Sequence, residues 1–72
     1  MTLQTSARNQ FKGKVATIKL GGVMADVTID IGNGQTMSAV ITRESAERLG
    51  LAEGKEVIAM VKATEVIVAT ES

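Results

Sequence analysis

Met24-Ala25-Asp26-Val27-Thr28-Ile29-Asp30-Ile31-Gly32-Asn33-Gly34 is the stretch that decides the fold. Ala25, Val27, Ile29 and Ile31 alternate with Met24, Asp26, Thr28 and Asp30, and a period of two belongs to a strand with one buried and one wet face. Asn33-Gly34 ends it with the strongest short hairpin signal, because both residue types tolerate positive φ. A second strand therefore follows, from about Gln35 to Ile41. Upstream, Phe11 to Lys19 carries Val15, Thr17 and Ile18 and reads as a strand too. Gly21-Gly22 supplies the turn between them, where positive φ would cost nothing. Residues 1–10 show no hydrophobic period and read as an extended arm.

At Thr42 the period changes. Thr42 suits a helix N-cap, Glu44 complements the first turn, and Gly50 stands where a C′ glycine is expected. A helix of about two turns, 43–49, is predicted. Glu53-Gly54-Lys55 makes a further turn. Two more strands, Val57–Val61 and Val66–Ala69, follow it. Three strands in a meander, a helix and two strands is the order of an all-β, five-stranded OB-type barrel with one short helix between strands 3 and 4. The order alone does not establish closure.

Seventy-two residues allow a single domain, 1–72. A chain this short needs disulfides, a metal or association to be comfortably stable. It has no cysteine and no histidine, so an oligomer is expected. The last two strands point the same way, being apolar on both faces where one short helix cannot cover both. Eight basic residues balance eight acidic ones, which argues against a dedicated polyanion binder. No apolar run approaches the roughly 20 residues that span a bilayer, and Met1 to Gln10 lacks a signal-peptide core. A cytoplasmic protein with no membrane partner is expected.

Catalysis is hard to assemble without histidine, cysteine, tyrosine or tryptophan, and no serine stands in a recognisable pairing with a base. Asp26 and Asp30 lie roughly 13 Å apart along a strand, too far to flank one bond. The glycine clusters lack phosphate-loop spacing. The sequence reads as non-enzymatic. Anion binding is easier to build, because three places concentrate donors. Ser6-Ala7-Arg8-Asn9 offers a hydroxyl, a guanidinium and an amide. Thr42 and Ser45 put two hydroxyls at a helix start, and Lys62-Ala63-Thr64 puts an ammonium and backbone N–H groups in a turn. Singly, each has a bland explanation as solvated charge or cap.

Together they carry a likeness. Ser6-Ala7-Arg8-Asn9-Gln10, Gly13-Lys14-Val15, Ala25-Asp26-Val27, Ile41-Thr42-x-Glu44-Ser45, Leu49-Gly50-Leu51-x-Glu53-Gly54 and Val61-Lys62-Ala63-Thr64-x-Val66-Ile67-Val68 resemble the Mop family, the molbindins, over about residues 5–69. The resemblance implies an OB-like subunit, a cytoplasmic hexamer built as a trimer of dimers, and molybdate or tungstate held between subunits. It implies Ser6, Arg8, Thr42, Ser45, Lys62 and Ala63, from more than one chain, as the oxyanion-binding residues. A further family site near the threefold axis could draw on the backbone of Gly21-Gly22-Val23, although Leu20 stands where many relatives would carry lysine. The rival readings are an OB-type nucleic-acid module and a swapped-hairpin DNA-binding dimer of the AbrB type. The first lacks stacking aromatics, since Phe11 is alone, and both sit poorly with a neutral chain. An interaction domain that kept the fold and lost the ligand is the third alternative.

Overall fold

The structure is a computed structural model and describes residues 3–71. Its framework is four antiparallel strands: β1 (Asn9–Leu20), β2 (Met24–Gly32), β3 (Gln35–Thr42) and β4 (Glu56–Val61), in the sheet order β3-β2-β1-β4. A single short helix, α1 (Arg43–Arg48), follows β3. The expected meander and helix are therefore present, with β1 starting at Asn9 and so taking in the last two residues of the expected arm.

β1 holds the sheet together because it is long enough to serve two partners. Its first half, Asn9 to Lys14, pairs with Val61 to Glu56 of β4, and its second half, Lys14 to Leu20, pairs with Asp30 to Ala25 of β2. Between Val15 and Thr17 the register shifts, so Ala16 is the extra residue of a bulge. The bulge lets Val15 and Ile18, three apart, both face inward. Val15 lies against Ile29 and Ile18 against Val27, in a core also packed by Met37, Ala39, Ile41, Leu51, Val57 and Ala59. Gly13 is required where the strand leaves β2, since a Cβ there would overlap the carbonyl oxygen of Asp30.

The hairpin between β2 and β3 forms as its sequence dictates. Asn33 and Gly34 both take positive φ, 55° and 72°, which is the type I′ geometry that follows strand twist. The Asp30 side chain accepts from the Gly32 N–H at 2.9 Å and secures the corner. At the other end Gly21 and Gly22 do make the turn, but neither uses positive φ. Gly21 is needed for close approach instead, because a Cβ would stand 3.0 Å from the Met24 carbonyl oxygen.

α1 ends in a Schellman motif. Gly50, at φ 64°, donates to the Glu47 carbonyl and Leu51 donates to the Ala46 carbonyl. That turn carries Leu51 back to the core.

The fifth strand is not found. After β4 the chain makes a 3₁₀ turn, Ala63–Glu65, and Val66–Ala69 continue in no ladder and largely exposed. A strand exists only where a second backbone completes its hydrogen bonds, and within one chain this segment meets none. The sheet is a curled, four-stranded one with β3 and β4 as its edges. The doubly apolar character of β4 does hold, because Val57, Ala59 and Val61 are half-buried while Ile58 and Met60 are exposed.

Candidate functional site

The register of β1 against β4 places the arm. Asn9 pairs with Val61 and its side-chain amide donates to the Val61 carbonyl at 3.2 Å. The next residues outward on the two strands are Arg8 and Lys62, so two cations flank one end of the β1–β4 pair. The only ion pair among the described residues is Arg43 with Glu47, at 3.6 Å. Among the described residues, neither Arg8 nor Lys62 forms a salt bridge with a carboxylate. Ser6 lies two residues further out, exposed, in a bend held by the Ala7 N–H donating to Thr5 Oγ1.

Lys62 leads into the 3₁₀ turn with an extended backbone. Glu65 donates to the Lys62 carbonyl at 2.9 Å, which closes the turn. The N–H groups of Ala63 and Thr64, at the start of so short a helix, have no intrahelical acceptor. This end of the molecule thus offers a guanidinium, an ammonium and backbone donors.

The Thr42–Ser45 pair is built differently. Thr42 is the N-cap of α1, and its Oγ1 accepts from the Ser45 N–H at 3.0 Å. The same hydroxyl donates to Ser45 Oγ at 2.8 Å. One hydroxyl proton is therefore spent inside the pair, and the Ser45 proton is left to donate outward. Arg43 adds no free charge here, since its guanidinium is shared between Glu47 and the Gly21 carbonyl.

Of the six residues singled out from the sequence, Arg8, Lys62 and Ala63 lie at one end of the β1–β4 pair, and Ser6 precedes Arg8 by two residues in the chain. Thr42 ends β3, the opposite edge of the sheet, and Ser45 follows it in α1. No hydrogen bond among the described residues joins the two groups. The sequence reading missed the use of Asn9, whose amide anchors the arm to β4. The signal was available only as register, since nothing in a single Asn marks it as an anchor.

Comparison with known proteins gives this arrangement its setting. The TOBE domain model matches residues 5–68. The chain is 44% identical over 66 residues to molybdenum-pterin-binding protein 2 of Clostridium pasteurianum, covering 92% of this chain and 97% of that protein. This chain is a TOBE domain of the Mop family. Other members are longer. The Mop domain described here is 49% identical over 71 residues to the molybdenum transport protein ModE of Azotobacter vinelandii, yet spans only 26% of that protein's length. It superposes with a TM-score of 0.81, at 54% identity, on the cytoplasmic molybdate-binding protein ModG solved with molybdate bound, over 85% of this chain and 43% of that one. The curled sheet of the Mop domain is thus an OB-like one.

Proposed function

We propose that this Mop domain binds molybdate, or the isosteric tungstate, at seams between its subunits, and that it stores or buffers the anion in the cytoplasm rather than transforming it. The observation that carries the reading is the register of β1 on β4. It brings Arg8 and Lys62 to the same end of that pair, neither in a salt bridge among the described residues, in a chain similar to a protein solved with molybdate bound.

Molybdate at neutral pH is a fully deprotonated tetrahedral dianion, so it accepts hydrogen bonds and donates none. A fitting cradle offers donors only. Arg8 and Lys62 supply charge, and charge-assisted hydrogen bonds are roughly twice as strong as neutral ones. A unit-charge pair about 4 Å apart is worth on the order of 4 kcal/mol at an effective dielectric near 20. Ser6, Ser45 and the Ala63 N–H orient the oxygens, while Thr42 fixes the Ser45 hydroxyl that faces the ligand. Because Thr42 and Ser45 lie by β3 and Lys62 follows β4, the opposite edge of the sheet, the complete donor shell draws on two or more copies. A hexamer built as a trimer of dimers is the assembly we propose. Hydrogen phosphate carries a proton that only a hydroxyl of such a pocket could accept, at the loss of that hydroxyl as a donor to the anion, and so it is disfavoured.

Native mass spectrometry with and without molybdate tests the reading. The expected result is a multimer that gains whole molybdate units on titration. A monomer that gains none would overturn it.

A further inference from the structure

The ladder between β1 and β4 stops at Asn9 and Val61. One more step of that register would set Arg8 opposite Lys62, and like charges directly opposite each other destabilise a strand pair. On charge alone this end of the sheet should fray. Two side-chain amides oppose that. Asn9, half-buried, donates from Nδ2 to the Val61 carbonyl at 3.2 Å, across the pair. Gln10 donates from Nε2 to the Ala7 carbonyl at 2.9 Å, back past Arg8. That carbonyl belongs to the peptide unit joining Ala7 to Arg8. The backbone of Arg8 is therefore tied on both of its sides, while Arg8 itself stays exposed.

We infer that Asn9 and Gln10 are positioning residues for the proposed anion site, whose amides hold the Arg8 backbone at the Lys62 end of the β1–β4 pair before any anion arrives. The two amides divide the work. Asn9 fixes where the arm leaves the sheet, and Gln10 fixes the direction in which it turns. A guanidinium on a loose arm is ordered only on binding, and that ordering subtracts from affinity. A braced arm has lost the same freedom on folding. A dianion held by both cations then offsets the repulsion that the brace withstands. This role rests on the proposed function, since it acts on that site through Arg8.

A double-mutant cycle on the full chain, read by calorimetric titration with sodium molybdate, tests it. Asn9→Ala should weaken molybdate about fivefold, and Asn9→Ala with Gln10→Ala about tenfold or more. On an Arg8→Ala background both should change affinity by less than about twofold, because the group they position is gone. Equal losses on the two backgrounds would mean direct contact or a general loosening of the fold, and would overturn the inference. Unchanged affinity on the parent background would overturn it as well. A second measurement needs no anion. The ¹⁵N order parameter of the Arg8 amide should fall from about 0.85, the value of rigid backbone, to below about 0.6 in the double variant. A value already low in the parent, or unmoved in the variant, would show that the amides do not brace the arm. A parent that takes up no molybdate, with the order parameter behaving as expected, would sink the proposed function and this role with it, and leave only the brace.

Discussion

At the scale of single residues, Thr42 has two duties that substitution can separate. As the N-cap its oxygen holds the Ser45 N–H, and removing it as Thr42→Ala should cost about 1 kcal/mol of stability. Thr42→Asp keeps a good cap but brings a carboxylate to the proposed anion seam. Thermal unfolding of Thr42→Asp should therefore stay close to that of the parent while its molybdate binding disappears in calorimetry. Retained binding in the aspartate variant would remove Thr42 and Ser45 from the site. Arg8 and Lys62 are tested differently, because among the described residues neither side chain has a salt-bridge partner whose loss could unfold the chain. Arg8→Ala and Lys62→Ala should each weaken molybdate by about tenfold or more at unchanged melting temperature, in line with the loss of a charge-assisted bond. Affinity left intact in both would move the site elsewhere.

At the scale of elements, Gly13 reports on how β1 serves two partners. A methyl group there meets the Asp30 carbonyl, a backbone atom that cannot swing aside. Gly13→Ala should destabilise by about 1–3 kcal/mol, read as a lower denaturation midpoint at constant slope. An unperturbed midpoint would show that the two halves of β1 can separate more freely than the register implies. The elements that were legible in the sequence are those decided within a few residues. β2 was legible from its alternation, the hairpin from Asn33-Gly34, and α1 from Thr42 and Gly50. The bulge at Ala16 was not, because it reconciles two different partners of one strand and leaves no local mark. Val66–Ala69 fails for a related reason. Its composition is that of a strand, but pairing depends on a second backbone that one chain does not provide. The donor clusters were legible as chemistry, yet only register brought Arg8 to Lys62 and left Thr42 on the far edge. The sequence names donors and leaves their meeting to topology.

At the scale of the whole molecule, the fully buried apolar set is small: Val15, Ala25, Val27, Ile29 and Ala46. The radius of gyration, 13.2 Å, exceeds the roughly 11 Å of a compact domain of this length. In the proposed assembly so loose a subunit would draw its stability from what it binds, copies of itself first and the anion second. Unfolding should then be linked to both concentrations. Raising the protein concentration should raise the melting temperature. Molybdate at 100 times its dissociation constant should add about 2.7 kcal/mol per site. In a domain of this size 1 kcal/mol corresponds to roughly 4–8 °C, so the ligand should raise the midpoint by about 10 °C or more. Hydrogen phosphate at the same concentration should produce less of this shift, because guanidinium, ammonium and N–H groups offer its proton no acceptor, and a hydroxyl that takes it stops donating to the anion. Differential scanning calorimetry across a matrix of protein and anion concentrations distinguishes the two linkages. A midpoint that follows protein concentration but ignores molybdate would keep the assembly and discard the anion. A midpoint that follows molybdate at every protein concentration, but never the protein itself, would place the whole cradle inside one chain.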